Sequence, residues 1–170
     1  EYKTFNLYNH EIAGESNPCV FIDYGDGTFG ESREHTYENP GDYIVKYYFE
    51  NPVTEIADWS FAAGITAFMK SVTIPKTVKK IGGSAFMGQS VNFASRLEEI
   101  IFEDGSQLET IGDRAFAFNS SLKELRLPAS VKEIDYGIVY CCRQLERFHS
   151  SSTNLDIAGP YICAIEDYFL

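Results

Sequence analysis

The sequence predicts a mainly β protein: a right-handed solenoid of about four repeats with short parallel strands, capped by a small N-terminal antiparallel β unit. Three observations lead there. Residues 53–154 carry one apolar pattern four times, and self-similarity of this kind marks stacked repeats. Residues 1–52 lack that pattern but alternate β-branched and aromatic runs with Gly, Asp, Asn and Pro turns, as short antiparallel strands do. With 44% hydrophobic residues, 13 Phe and 11 Tyr among 170 positions, the chain can bury a continuous core.

From the N-terminus, Phe5 and Leu7 alternate with polar neighbours, which suits a strand. Residues 19–24 are mostly apolar and run into Gly25-Asp26-Gly27-Thr28, a tight-turn composition. His35-Thr36-Tyr37 then leads to a second turn at Asn39-Pro40-Gly41, and residues 43–49 (YIVKYYF) read as a long strand. Gly25-Asp26-Gly27, His35-Thr36-Tyr37 and Pro40-Gly41-Asp42-Tyr43 together resemble the second part of a PKD-type immunoglobulin-like domain. The resemblance implies a reduced, PKD-like β cap over residues 1–52, with His35 structural. A cap is also a physical requirement, because the first repeat would otherwise expose its core and its strand edges. Asp23, Asp26 and Glu31 do not have the spacing of an EF-hand loop and read as turn residues, so no metal site is expected.

The repeats are residues 53–77, 78–107, 108–130 and 131–154, with starts 25, 30 and 23 residues apart. Each opens on an aliphatic residue followed three positions later by Ile: Val53/Ile56, Val78/Ile81, Leu108/Ile111 and Val131/Ile134. Five residues further comes a large apolar side chain: Phe61, Phe86, Phe116 or Val139. Then follow Met69, Leu97, Leu122 and Leu145; next Val72, Ile100, Leu125 and Phe148; and finally Ile74, Phe102 and Leu127, with Ser150 breaking the pattern. Pro75 and Pro128 end two of the units, where a strand must stop. Apolar residues two apart share one face of a strand, so one repeat cannot bury its apolar side alone. Stacked copies bury it against each other, each Leu, Ile or Phe contributing ~1.5–3 kcal/mol before entropy is subtracted. The unequal spacings place extra residues in 62–68, 87–96 and 103–107, which map to surface loops.

Ile-Gly-x-x-Ala-Phe recurs intact at residues 81–86 and 111–116, and "LETIGDRAFAFNSSLKELRLPASVKEI" spans a whole unit. Residues 53–150 resemble the BspA-like leucine-rich repeats of bacterial surface proteins. Asn119 and Cys142 fall on that family's Asn/Cys position, which implies a small polar side chain packed inside the turn. Gln89 departs from it, as do Ile138 and Val139 in place of Ala-Phe. The resemblance implies a secreted or cell-surface binding module, adhesin-like, with a host or matrix protein as partner. The PKD-like unit implies an alternative: a carbohydrate-binding module or a structural spacer in a glycan-uptake protein. The chain begins at Glu1 without a signal peptide, which fits a mature form whose targeting segment has been removed.

Residues 155–170 have no clean repeat and read as a terminal cap or an incomplete fifth unit. No apolar run approaches membrane-spanning length. A net charge of −11 repels a polyanion, so nucleic acid is excluded as a partner, and Lys70, Lys76, Lys79 and Lys80 read as a solvated face. Cys19, Cys141, Cys142 and Cys163 show no zinc spacing. Adjacent Cys141 and Cys142 on an extended backbone would point apart, so buried free thiols are expected, with a bridge to Cys163 left open.

No nucleotide loop, nucleophile elbow or zinc-protease motif is present, so no enzyme activity and no cofactor are expected. Glu98–Glu99 and Glu103–Asp104 read as a solvated face and not as acid–base pairs. Trp59, Phe93, Tyr136 and Tyr140 are the candidate sugar platforms, mostly better read as core. Binding is expected on the outward positions of the strands: Ser71 and Thr73, Glu99 and Ile101, Glu124 and Arg126, Arg147 and His149. These form two columns across neighbouring repeats, the kind of extended surface solenoids use for recognition. Arg126 and Arg147 either clamp carboxylates of a partner or neutralise Glu99 and Glu124 within the columns.

Overall fold

The computed structural model describes residues 3–7, 12–13, 19–62, 65–89, 95–150 and 156–157. The N-terminal unit contains β1 (Lys3–Asn6), β2 (Cys19–Asp23), β3 (Phe29–Gly30), β4 (Glu34–Tyr37) and β5 (Lys46–Phe49). β1 pairs antiparallel with β4, and β2 lies between β3 and β5, again antiparallel. Leu7, Ile22, Tyr24 and Tyr37 form its small core. The strand expected over 43–49 begins only at Lys46. The Tyr43 hydroxyl donates to the Asn39 carbonyl at 2.7 Å and its ring stacks on Tyr37, so residues 43–45 turn the corner before pairing starts.

The solenoid has three hydrogen-bonded sides. The first is a parallel sheet of β6 (Glu55–Ile56), β8 (Lys80–Ile81), β10 (Thr110–Ile111), β12 (Glu133–Ile134) and β14 (Asp156–Ile157), in that spatial order. Its register aligns Ile56, Ile81, Ile111, Ile134 and Ile157 in one row, the first apolar anchor of the sequence pattern. β14 extends this row, so the chain after residue 154 enters a fifth turn. The second side holds the four-residue strands β7 (Ser71–Ile74), β9 (Glu99–Phe102), β11 (Glu124–Leu127) and β13 (Arg147–Ser150). They pair parallel as β7–β9 and β11–β13.

The third side is a stack of turns. Phe61, Phe86 and Phe116 donate their backbone N–H groups to Ala85, Ala115 and Ile138 at 2.7–2.9 Å. Two positions before each anchor the backbone is left-handed: Trp59, Ser84, Arg114 and Gly137 have φ of 61°, 55°, 53° and 61°. That conformation aims the N–H groups of Trp59, Ser84 and Arg114 at carbonyls of the next turn. Three non-glycine residues accept its steric cost because each closes a hydrogen bond that would otherwise be lost inside the stack.

Side-chain stacking follows the same axis. Phe61 lies parallel to Phe86 at 5.0 Å between ring centroids, and Phe86 to Phe116 at 5.9 Å. Tyr47 of the N-terminal unit meets Phe61 edge-on at 5.8 Å and donates its hydroxyl to Leu7 O, so one residue joins both cores. Ile12 is buried in the solenoid core and accepts a hydrogen bond from Ala57 N–H. Residues of the N-terminal unit thus cover the first turn, as an open solenoid end requires. The Ile-Gly pair of the second and third repeats also has a reason: a Cβ at Gly112 would lie 2.6 Å from Gly83 N, and one at Gly82 would overlap Asp58.

Candidate functional site: the strand face

All eight residues expected to point outward do so: Ser71, Thr73, Glu99, Ile101, Arg126, Arg147 and His149 are exposed, and Glu124 is partly covered. Between them Ile100, Leu125 and Leu127 face the core. The alternation follows from the strand period of two.

The face is not one continuous sheet. Among the described residues β9 pairs with β7 alone and β11 with β13 alone, so the ladder is interrupted between the second and third turns. β9 is flanked on both sides by the inserted segments 87–96 and 103–107. At the seam lies an open cleft of about 370 Å³, lined by Lys70, Ser71, Glu98, Glu99, Ile100, Lys123, Glu124, Arg126 and Arg147. The structure thus brings together five of the eight expected residues: Ser71, Glu99, Glu124, Arg126 and Arg147. Thr73, Ile101 and His149 lie outside the cleft wall.

Glu124 is the hub. Its Oε2 accepts a hydrogen bond from Arg147 Nη2 at 3.2 Å. Its Oε1, sealed from solvent, accepts no hydrogen bond of good geometry. It faces Arg126 Nη2 at 2.5 Å and His149 Nε2 at 3.3 Å. The Arg147 hydrogen bond first, with the nearby Arg126 and Arg147 guanidinium groups, holds the carboxyl below the usual range against the opposing effect of burial. Glu99 finds no ion-pair partner among the described residues. Of the two readings of the arginines, internal neutralisation holds for Glu124 and fails for Glu99.

Besides the core residue Ile100, three cleft residues lie outside the expected columns: Lys70, Glu98 and Lys123. They sit one position ahead of each strand, with Glu146 as the fourth member. The spacing that defines the columns defines this row too, so the signal was in the sequence. Glu98 and Glu99 both line the cleft, against the expectation of opposite faces, because Glu98 precedes the strand and is not part of its alternation.

Other expectations resolve similarly. Trp59 and Tyr136 are 46% and 43% exposed and so are not core; they sit on the turn side, where Arg114 lies over the Tyr136 ring at 5.4 Å. Tyr140 is half-buried against Phe118. Phe93 and Cys163 lie outside the described residues. Cys19, Cys141 and Cys142 are free thiols. The backbone at Cys141 is left-handed, with φ of 59°, so the extended geometry assumed for the cysteine pair does not apply. Cys142 is buried and donates to Phe116 O, and burial pushes its thiol up to about 12. Asn119 is fully buried, with Nδ2 donating to Phe86 O and Phe116 O and Oδ1 accepting from Ser95 Oγ. In the second turn Gln89 is exposed, and Ser95, beyond the insertion, supplies the buried polar group.

In the N-terminal unit Asp26 Oδ2 meets His35 Nε2 at 2.7 Å, and the His35 ring lies flat on Tyr24 at 3.9 Å. Asp26 Oδ1 accepts from the Thr28 hydroxyl and amide, and Asp23 Oδ1 from Gly25 N–H. These carboxylates are engaged as turn residues. Among the described residues no cluster of His, Cys, Asp and Glu is placed to hold a metal ion, and no helix is long and apolar enough to cross a membrane.

Residues 33–162, well over half the chain, match the BspA type leucine rich repeat region, in six copies. The chain belongs to the BspA-type leucine-rich-repeat family. The BspA-type match begins ahead of the turns themselves: β4 and β5 fall inside it but are antiparallel partners of β1 and β2. The six copies therefore outnumber the turns of the stack. A solved structure similar to this BspA-type chain is that of the pneumococcal vaccine antigen PcpA, at 37% sequence identity and a TM-score of 0.51. The likeness covers 62% of this chain and 26% of PcpA, so the chain spans about a quarter of that protein. No curated protein matches the chain.

Proposed function

We propose that this chain is a secreted or cell-surface module that binds a protein partner, adhesin-like, through the strand face of its solenoid. The observation that carries the reading is the charged cleft at the seam, where Glu98, Glu99 and Lys123 have no ion-pair partner among the described residues and lie beside the Arg126–Glu124–Arg147 cluster. Charged groups left unmatched within a molecule are available to set the orientation and rate of encounter with another. Membership of a repeat family whose similar solved structure is a vaccine antigen supports surface presentation. We read residues 1–52 as a reduced PKD-like cap, 53–154 as the repeats and 155–170 as a terminal cap or partial repeat. The His35–Asp26 pair between Tyr24 and Tyr37 supports the first of these. A host or matrix protein is the partner class this reading names, and catalysis has no place in it.

The test is capture of immobilised matrix proteins by the purified chain. Arg126→Glu is expected to weaken capture about tenfold or more, and Glu124→Lys likewise, because like charges at a contact are costly. Capture that neither substitution changes would remove the strand face from the interaction.

A second reading has its own observation. Trp59 on the turn side and Phe21, Phe29 and Tyr48 on the N-terminal sheet are exposed aromatics, Phe29 at 64%. Phe21 and Tyr48 stack on each other at 4.3 Å, and Trp59, 46% exposed, is the residue this reading tests first. A glycan-array signal abolished by Trp59→Ala and untouched by Arg126→Glu would favour carbohydrate over protein.

A further inference from the structure

The row just ahead of the long strands reads Lys70, Glu98, Lys123, Glu146, alternating in sign from turn to turn. On the opposite sheet, charges in neighbouring turns pair within the chain: Lys80 with Glu55 at 2.7 Å and Lys132 with Glu109 at 3.1 Å. Here they do not. Glu98, Lys123 and Glu146 have no ion-pair partner among the described residues, and Lys70 has only a 3.8 Å contact with Asp42. All four side chains are exposed.

Such a row is its own complement when reversed. We propose that the strand face is a self-association surface, on which two copies of this chain meet about a two-fold axis running along the β9/β11 seam, parallel to the strands. This axis exchanges the first turn with the fourth and the second with the third, and keeps rows aligned. Lys70 then faces Glu146 of the second copy, and Glu98 faces Lys123 of the second copy. Each pair occurs twice, as an isologous interface demands.

The adjoining columns obey the same operation. Glu99, without an ion-pair partner in its own chain, faces Glu124 of the second copy, a like-charge contact offset by the Arg126 and Arg147 guanidinium groups already paired with that carboxylate, and Ile101 faces Arg126. Ser71 and Thr73 meet Arg147 and His149, which creates no like-charge contact. A chain with a net charge of −11 repels its own copies at long range, so the local complementarity must act against that background and is most effective at moderate ionic strength.

The proposal rests on the strand face being the binding surface and names a second copy as its occupant. The experiment is sedimentation velocity of the whole chain across a concentration series, with reductant present so that disulfides do not link copies. Expected is a monomer–dimer equilibrium that about 1 M salt dissolves, where screening is complete within ~3 Å. Glu98→Lys and Lys123→Glu should each weaken the dimer about tenfold or more, and the double variant Glu98→Lys/Lys123→Glu should restore it, because the exchange rebuilds the pair. Circular dichroism of each variant reports whether it is folded. A monomer at every concentration, or a dimer that single substitutions leave intact or the double variant fails to restore, overturns the proposal. A monomer whose capture of matrix protein still falls with Arg126→Glu overturns self-association alone; loss of both retires the strand face altogether.

Discussion

Asn119 serves three partners at once, bonding two carbonyls of its own and the preceding turn and the Ser95 hydroxyl. Replacement by Ala strips Phe86 O of its side-chain donor and takes one bond each from Phe116 O, which keeps Cys142 Sγ, and from Ser95 Oγ, which keeps Thr66 O and Leu97 N–H; the expected loss is about 1–3 kcal/mol in denaturant unfolding. Its counterpart Cys142 makes one such bond, and its pKa of about 12 makes it a poor nucleophile. Native-state alkylation near neutral pH, read by tandem mass spectrometry, should mark Cys141 well before Cys142. Asp26 gives the pH-dependent case. Hydrogen bonds from Thr28 first and His35 next lower its pKa from 3.8 to about 2. The folded-state value is depressed, so the contribution is present in full above the unfolded value and is lost as pH falls from about 4 towards 2. Acid titration followed by aromatic circular dichroism should show the N-terminal unit loosening in that window; an unchanged signal down to pH ~2 would contradict the assigned pair. The buried position of Asn119 was legible because, three positions after Phe116 in an intact repeat, it falls on the Asn/Cys position of the BspA-type pattern. The role of Ser95 was not, because the insertion before it breaks the count that would have aligned it.

At the scale of the elements, the Phe stack and the glycine contact carry the turn-to-turn packing. Phe86, ringed on both sides by Phe61 and Phe116, is the position where truncation should cost most: Phe86→Ala is expected to destabilise by about 3–5 kcal/mol. Gly112→Ala adds only a methyl, yet that methyl meets backbone that cannot rotate away. A loss of about 1–3 kcal/mol is expected, with thermal melting as the check. The strands of the second side were readable from apolar spacing, since a period of two in a buried ladder leaves few other solutions; the two-residue strands of the first side were not, because a single Ile anchor sets no alternation. The third side was not. Its left-handed position is occupied by Trp59, Ser84, Arg114 and Gly137, four residue types with no shared conformational preference, so no composition signal marks it. Insertion lengths showed where extra residues lie but not which ladder they would interrupt, because that depends on how far a loop displaces its strand.

For the molecule as a whole, stability should follow the order of the stack, since each turn touches only its neighbours. Amide exchange is expected to be slowest at Ile81, Phe86, Ile111 and Phe116 in the second and third turns, and faster along β13, which pairs on one side among the described residues. Uniform protection from end to end would mean that the turns open together and not in sequence. That the solenoid would need covering at its first turn could be argued from the pattern; that Tyr47 and Ile12 would do it could not, because both lie in segments that carry no repeat. The seam between β9 and β11 bears on how such a surface changes over generations. A strand in a ladder must keep register with its neighbours, so a gained or lost residue there flips every side chain beyond it. Where no ladder joins two turns, that penalty is absent. New residues can enter on either flank of β9 while the isoleucine row behind stays as it is, so the exposed face of this chain can change at one joint without rebuilding the stack.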